Sequence, residues 1–278
     1  SGTAVSTALK KNPEYNTDLV LIDQPCIKEI SAMKADVIFP ALHGPFGEGG
    51  PLQRILEETR IPFVGSGSEA CEIAMDKVAS KKIARDLGIP TPSWSVVECI
   101  EQPSLQTPFV LKPIDDGSSI DIFICHDELV AKEVLTDVLQ RRKAMLVEEF
   151  KKGREITVGI ACGQVLPTVE IIPQSGNYDF AAKYERNDTR YVLDPPLQDQ
   201  TCAEWALQLV DAMHVRDVAR VDFIVDEDGP WFLEINTMPG FTDHSLLPMA
   251  AAHRHWDMST LCSKLVASAL ARSATAEC

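Results

Sequence analysis

The first quarter of the chain alternates short apolar runs with segments of helical periodicity. The apolar runs are residues 19–22 (LVLI), 37–40 (VIFP) and 61–65 (IPFVG). Their length and flanking turn residues are typical of buried parallel strands. Between the last two runs, a segment that starts at Pro51 places Leu52, Ile55 and Leu56 on one helical face. The pattern predicts the latter part of a Rossmann-like lobe.

The middle of the chain predicts a second lobe that starts with a helix. Within residues 76–87 (DKVASKKIARDL), Ala79, Ile83 and Leu87 recur every fourth position, and Gly88 follows as a stop signal. Apolar strand patterns follow at 94–97, 109–112, 122–125 and 145–147, with a charged helix predicted around 127–142.

The last third of the chain predicts strands, a long loop, a helix and a hairpin. Strand patterns at 156–159 and 165–170 lead into the polar stretch 175–189, which we interpret as a mobile lid because it is too long for a tight turn. An amphipathic helix is predicted around 206–213. Strands at 218–225 and 231–236 flank a turn and form the predicted hairpin.

The hairpin carries the strongest chemical signal. Glu234 and Asn236 point to the same face because they are two residues apart on a strand. If Val225 lies near Trp231, Asp222 falls opposite Glu234, and two facing carboxylates require compensation. Carboxylates and an amide oxygen suit Mg²⁺. The alternative is an ordinary exposed polar face.

Two further segments are weaker candidates for a nucleotide site. Lys112 lies inside an apolar strand, and the loop 115–119 (DDGSS) after it offers backbone and hydroxyl donors, so a phosphate would satisfy both. A lysine that extends to solvent explains the same pattern. Glu148 and Glu149 end another strand, where they could hold a purine or ribose or form a solvated acidic pair.

Composition narrows the class of protein. The 278 residues are 45% hydrophobic and 6% aromatic, which is enough for two or three lobes with their own cores. No apolar stretch is long enough to span a bilayer and no leader is evident, so we expect a cytoplasmic protein without a membrane partner. The net charge of -15 argues against nucleic acid as a partner.

Several short motifs, taken in order, resemble the D-alanine–D-alanine ligase family. They are 41–44 (ALHG), 47–48 (GE), 61–66 (IPFVGS), 75–77 (MDK), 112–113 (KP), 117–119 (GSS), 183–184 (KY), 220–222 (RVD), 234–240 (EINTMPG), Thr242, 245–246 (SL) and Pro248. The resemblance covers nearly the whole chain, and the shared order is far more specific than any single motif.

The resemblance implies an α/β protein with α+β lobes and an ATP-grasp fold. It implies a partial Rossmann-like N-terminal domain at 1–70, a central ATP-grasp subdomain at 71–147, and a C-terminal subdomain at 148–278 that carries the lid loop and the metal site. ATP would be clamped between the last two.

The resemblance also assigns roles to residues of this sequence. For ATP they are Lys77, Lys112, Ser119, Glu148, Glu149, Glu155 and Lys183, and for Mg²⁺ or Mn²⁺, two ions, they are Asp222, Glu234 and Asn236. Catalytic roles fall to Ser118, Tyr184, Arg220, Gly240 and Ser245, and substrate binding to His43, Ser245 and Leu246. Arg220 and the Gly240 N–H resemble an oxyanion site, while Ser118 and Tyr184 resemble the pair that closes the lid.

The implied activity joins two D-alanines through an acylphosphate, with ATP as the second substrate, for peptidoglycan precursor synthesis. A homodimer is implied by the family alone. Two alternatives remain: a related ligase with another acceptor, such as a hydroxy acid, and a nucleotide-binding relative with impaired catalysis. Tyr184 after Lys183 favours the amino-acid acceptor.

This sequence departs from the family pattern at four places. Ser1 and Gly2 correspond to the helix after the family's first strand and Gly-rich loop, so we expect the chain to start inside its first domain, without the glutamate that grips the first D-alanine. Asp121 stands where the phosphate loop has glycine, which predicts a negative charge near the phosphates. Glu149 replaces a lysine beside adenine, and Gly49 replaces an aspartate.

Overall fold

The structure is a computed structural model that describes residues 1–99, 106–117, 120–173, 189–196 and 201–276. The helices of this part of the chain are α1 (Gly2–Leu9), α2 (Ile27–Ser31), α3 (Gly44–Glu48), α4 (Pro51–Thr59), α5 (Ser68–Met75), α6 (Lys77–Asp86), α7 (Glu128–Val138), α8 (Thr201–Ala212), α9 (Leu246–His253) and α10 (Met258–Ala276). None of them has the length and apolar character that a membrane-crossing helix requires.

A four-stranded antiparallel sheet forms the middle of the molecule. Its strands are β1 (Trp94–Val97), β2 (Phe109–Pro113), β3 (Phe123–Cys125) and β4 (Met145–Glu149), in the order β1-β4-β2-β3. Helix α7 covers one face, where Leu135 and Val138 pack against Phe109 and Val147. The four strands predicted from the sequence are confirmed, and the predicted charged helix is shorter than expected.

The second sheet is also antiparallel and carries the hairpin. Its strands are β5 (Arg154–Ala161), β6 (Gln164–Val165), β7 (Val169–Ile172), β8 (Arg190–Leu193), β9 (Val218–Asp226) and β10 (Gly229–Asn236), in the order β10-β9-β5-β7-β8, with β6 beside β5. Alternation along β5 buries Ile156, Val158 and Ile160 against α8, and it turns Thr157 to the other face. The predicted continuous strand 165–170 is wrong, because the chain leaves the ladder between β6 and β7.

The N-terminal lobe contains less sheet than the sequence predicts. Ile38 and Phe63 form one parallel bridge. The apolar runs 37–40 and 61–65 therefore lie side by side in parallel, but neither extends into a strand. The predicted strand 19–22 is wrong. Leu21 is 88% exposed, and within the described residues no neighbouring strand takes up the hydrogen bonds of this run. Helix α4 is confirmed, with Leu52 and Leu56 buried against this bridge.

Helix α6 lies where the sequence predicts it but buries a different face. The predicted apolar face has only partly buried Ala79 and Ile83, and Leu87 is exposed. The buried face instead contains Lys77 and Lys81. The prediction from apolar spacing was wrong about the buried face because these lysines are paired. Glu234 on β10 neutralises Lys77 and Glu148 on β4 neutralises Lys81, so the charged side chains can be buried.

Candidate active site

The β9–β10 hairpin brings its two carboxylates together as predicted, although by a different register. At the tip, Val225 pairs with Pro230 and not with Trp231. A bulge after Phe232 shifts the register by one residue, so that Glu234 then pairs with Asp222. The facing position of these two carboxylates therefore depends on one extra residue in β10.

Asp222 is a buried carboxylate with several partners. Arg220 donates from Nε to Oδ1 and from Nη2 to Oδ2, both at 3.0 Å, because residues two apart on β9 share a face. The Thr157 hydroxyl donates to Oδ1 at 2.5 Å from the neighbouring strand, and Asn236 Nδ2 lies 3.4 Å from Oδ2. Three strands thus present polar groups at one point of the sheet.

Lys77 joins the hairpin to the loop that follows β2. Its ammonium lies 3.3 Å from Glu234 Oε2 and donates to the Asp116 carbonyl at 2.6 Å. The Lys77 N–H donates to the Ile114 carbonyl at 2.9 Å, which fixes the start of α6 against the same loop. A narrow cleft opens here, lined by Glu48, Ala74, Met75, Lys77, Asp116, Gly117, Glu234, Ile235, Asn236 and Thr237.

A buried cluster of two lysines and one glutamate lies under the four-stranded sheet. Lys112 Nζ is 2.6 Å from Glu148 Oε2, and Lys81 forms an ion pair with the other oxygen, Oε1. Burial raises the pKa of Glu148, but the two ammonium groups outweigh burial and hold it below its usual value. Burial lowers the pKa of Lys81 to about 8 although Glu148 opposes the change. Glu148 is therefore an ionised carboxylate at neutral pH.

Asp121 does not face the cleft as a free negative charge, which corrects the expectation from the sequence. Arg142 donates from Nε to Asp121 Oδ2 at 2.7 Å, and Arg141 Nη1 lies 2.7 Å from Oδ1. Arg142 also holds Asp116 at 2.8 Å. Burial acts to raise the pKa of Asp121, but the two guanidinium groups lower it overall. They thereby neutralise the carboxylate and tie both ends of residues 116–121 to the segment after α7.

Glu149 is the last residue of β4, and Glu155 lies near the start of β5. Glu149 is bound by Lys151 at 2.7 Å, and this contact is the main reason its pKa is lowered. Glu155 lies two residues before Thr157 on β5, so both share the face that carries Asp222.

Two of the residues predicted for substrate binding, Ser245 and Leu246, lie at the start of α9, and Ser1 connects the third, His43, to Phe241. His43 Nε2 is 3.1 Å from the Ser1 hydroxyl, which also accepts a hydrogen bond from the Phe241 N–H at 3.1 Å. Ser245 caps the turn before α9, where its hydroxyl accepts from the Thr242 N–H at 3.0 Å. A Cβ at Gly240 would lie 2.7 Å from that hydroxyl, so this close approach requires glycine.

Leu246, the first residue of α9, is buried in the core beside Phe241. Ser118, Ser119, Lys183, Tyr184 and most of the predicted lid lie outside the described residues.

The sequence prediction missed Glu48 and Lys81. Glu48 is 9% exposed, lines the cleft and accepts from the Gly44 N–H at 2.9 Å. Its position in the 41–48 motif was the available signal. Lys81 is fully buried, and only its spacing of four residues from Lys77 on a helix pointed to a shared face.

No group of three His, Cys, Asp and Glu side chains in the described part of the chain is arranged to hold a metal ion. Asp222 and Glu234 supply only two such groups, and Asn236 adds an amide oxygen. Two carboxylates and an amide form a hard-oxygen donor set, which fits Mg²⁺ when substrate oxygens or water complete the coordination.

The architecture defines the class of protein. Two antiparallel sheets are joined by helix α6, whose lysines pair with Glu148 on the first sheet and with Glu234 of the acidic hairpin on the second. This is the ATP-grasp fold, and solved structures with the same fold are known. A ligase from Bacillus anthracis, described as D-alanine–D-alanine ligase, has a TM-score of 0.79 and 31% identity and covers 89% of this chain and 84% of its own.

The same ligase complexed with ATP has a TM-score of 0.77 and 29% identity, covering 91% of this chain and 84% of its own. The family models for the D-ala D-ala ligase N-terminus and C-terminus match residues 1–66 and 83–267.

Curated relatives give the same result. The D-alanine–D-alanine ligase of Aquifex aeolicus is 37% identical over 274 residues, which is 96% of this chain and 93% of that protein. That of Syntrophotalea carbinolica is 37% identical over 280 residues, or 98% and 91%. The chain belongs to the D-alanine–D-alanine ligase family.

Proposed function

We propose that the chain joins two D-alanines to D-alanyl-D-alanine with cleavage of ATP to ADP and phosphate, and that the product serves peptidoglycan synthesis. The observation that carries the proposal is the convergence of Asp222, Glu234 and Asn236 beside Lys77 in a chain that belongs to this family. The proposed location is the cytoplasm, and the proposed assembly is a homodimer.

The proposed reaction has two steps. The carboxylate of the first D-alanine attacks the γ-phosphorus of ATP, the bond to the β-phosphate oxygen breaks, and an acylphosphate and ADP form. The amine of the second D-alanine then attacks the acyl carbon and loses a proton, and phosphate leaves with the electrons of the C–O bond. Charge on the transferred phosphoryl group is the main electrostatic demand of the first step.

We propose that Asp222, Glu234 and Asn236 hold Mg²⁺ or Mn²⁺, two ions in total. The ions, when bound, neutralise charge on the β- and γ-phosphates. Arg220 contacts Asp222 and Lys77 contacts Glu234, so both cations lie beside the proposed metal ligands and are placed to bind anionic substrate groups there.

The remaining candidate residues are assigned proposed roles according to the part of the substrates that each would contact. Lys77, Lys112, Ser119 and Lys183 are proposed to hold phosphates, and Glu148, Glu149 and Glu155 to hold adenine and ribose. Arg220 and the Gly240 N–H are proposed to stabilise the tetrahedral oxyanion. His43 is proposed to bind substrate, Ser245 and Leu246 to bind the second D-alanine, and Ser118 with Tyr184 to close the lid over the substrates.

The three-part division at residues 70 and 147 stays a proposal. It is supported by separate hydrophobic clusters, one around Leu52 and Leu56 and another around Leu135 and Val147.

The test is phosphate release from ATP and Mg²⁺ with D-alanine, L-alanine, D-lactate plus D-alanine, or no acceptor, with the product identified by mass. We expect phosphate and D-alanyl-D-alanine only when D-alanine is present. A depsipeptide with D-lactate would indicate a different acceptor, and nucleotide binding without any product would overturn the ligase proposal.

A matched pair of variants tests the hairpin. Glu234→Gln removes a carboxylate from the cleft, and we expect kcat to fall roughly a hundredfold or more, because the metal loses a ligand. Glu227→Gln removes an exposed carboxylate at the tip of the same hairpin, and we expect no change. Equal activity of the two variants would contradict the proposed metal site.

A further inference from the structure

Lys81 is a buried cation to which the proposed mechanism gives no role. Its side chain has no exposed surface, and its ammonium lies at the junction of the two sheets. It pairs with Glu148 on β4, donates to the Thr91 hydroxyl at 2.5 Å, and lies 3.5 Å from the Phe232 carbonyl on β10. Burial of an ammonium is costly unless its partner is fixed, so this position constrains Glu148 strongly.

Glu148 is shared by two lysines that differ in their other contacts. Lys112 occupies one carboxylate oxygen, and Lys81 occupies the other. Under the proposed function, Lys112 also binds the phosphates of ATP. The bound phosphates therefore compete with Glu148 for the Lys112 ammonium. Within the described residues the other contacts of Lys81 are with neutral groups, namely the Thr91 hydroxyl, the Phe232 carbonyl and the Trp94 ring.

We propose that Lys81 is a positioning residue for nucleotide recognition: it is the counter-ion that stays beside Glu148 and keeps this carboxylate ionised and oriented towards the purine amine when Lys112 turns to the phosphates. The inference rests on the proposed function. It makes the affinity for the 6-amino group of adenine depend on a side chain that does not itself contact the nucleotide.

The physical basis is the cost of a buried carboxylate. Without Lys81, Glu148 would retain Lys112 alone, and ATP binding would then either leave the carboxylate without a counter-ion or hold Lys112 away from the phosphates. A protonated Glu148 would also lose half its capacity to accept a hydrogen bond from an amine. Both outcomes weaken ATP binding and the preference for the 6-amino group.

The experiment measures dissociation constants by equilibrium titration for ATP and for purine riboside triphosphate, which lacks only the 6-amino group. In the unaltered chain we expect ATP to bind at least about tenfold tighter, as for a hydrogen bond to a charged group. In Lys81→Met we expect this ratio to fall towards one and ATP affinity to fall roughly ten- to a hundredfold. Lys81→Arg retains the charge, and we expect it to restore most of the ratio.

Thr91→Val is the matched control, because it removes a hydrogen bond to Lys81 but leaves the charge in place. We expect lower stability and an unchanged nucleotide ratio. A folded Lys81→Met variant with the ratio of the unaltered chain would overturn the proposal. If the unaltered chain bound no nucleotide, or bound both equally well, the proposed function or the role of Glu148 would fail instead.

If Lys81→Met does not fold, the proposal is tested by measuring the ratio of the two dissociation constants in the unaltered chain as a function of pH. The charged groups that face Lys81 are Glu148 on β4, Lys112 on β2 and, more distantly, Glu234 on β10. Burial lowers the pKa of Lys81 to about 8, so we expect its charge to be lost as the pH rises above this value. We expect the ratio to fall there in the unaltered chain and to persist in Lys81→Arg. A ratio that stays constant through this pH range would overturn the proposal.

Discussion

At the scale of single residues, Asp121 shows how a substitution that looks harmful in sequence is accommodated. Its φ of 57° lies in the left-handed region, which favours glycine but which aspartate tolerates better than most residues. Its carboxylate forms ion pairs with Arg141 and Arg142, which also bind Asp137 and Asp116. The backbone keeps the conformation of a glycine, while the added charge is neutralised locally.

Variants of Asp121 separate these two effects. Asp121→Gly loses the ion pairs but relieves the left-handed backbone, so we expect the free energy of unfolding to change by less than about 1 kcal/mol. Asp121→Ala loses the ion pairs and keeps the strain, and we expect it to be about 1 kcal/mol less stable than Asp121→Gly. Urea denaturation measures both. Equal stability of the two variants would show that backbone strain does not matter here.

At the scale of elements, helix α6 positions two lysines of the candidate site because a side-chain cap fixes its first turn. The Asp76 side chain accepts from the Val78 and Ala79 N–H groups, which satisfies donors that a helix otherwise leaves unpaired. This cap sets the direction of α6, and with it the positions of Lys77 and Lys81 on the buried face. Helix α7 has a similar cap at Asp127, which accepts from the Val130 N–H, but α7 carries no proposed ligand.

The two caps provide a matched pair of variants. We expect Asp76→Ala and Asp127→Ala each to lower the free energy of unfolding by about 1 kcal/mol, because each removes a side-chain cap. Only Asp76→Ala should raise the dissociation constant for ATP, since only α6 positions lysines at the site. Thermal unfolding and nucleotide titration measure the two effects. A rise of the same size in Asp127→Ala would indicate a general loss of structure.

At the scale of the whole molecule, Asp217 joins parts that are far apart in sequence. Its carboxylate accepts from the Gly65 N–H at 2.7 Å and from the Ser268 hydroxyl at 2.7 Å. Arg272 on α10 binds both carboxylate oxygens and also donates to the Phe63 carbonyl at 2.9 Å. One buried carboxylate therefore links the N-terminal lobe to the second sheet and to the last helix.

Arg272→Met tests this link. It leaves the Asp217 side chain, which is 1% exposed, without its cation, and we expect the free energy of unfolding to fall by about 3 kcal/mol. In the double variant with Asp217→Asn the buried, unpaired carboxylate charge is absent, and part of the lost free energy of unfolding should be recovered. As a control, Arg254→Met removes a guanidinium that donates to the Val165 carbonyl, and we expect a loss below about 1 kcal/mol. Similar losses in both arginine variants would contradict the central role of Asp217.

Local sequence patterns were sufficient to predict the elements and motifs that depend on neighbours along the chain. Strands β1 to β4, helix α4 and the hairpin follow from local periodicity, and the order of the motifs was sufficient to indicate the family. The alternation of side chains along a strand is sufficient to place Glu234 and Asn236 on one face. These features were predictable because their physical causes lie within a few residues of each other.

The burial of polar groups and the pairing of distant residues could be read only from the folded chain. The facing of Asp222 and Glu234 depends on a bulge, and the run 19–22 has the composition of a strand but no neighbour to pair with in the described part of the chain. The burial of Lys81 was not predicted because its partners Glu148 and Phe232 are far away in sequence. Burial of charge depends on partners brought together by folding, and local pattern does not contain that information.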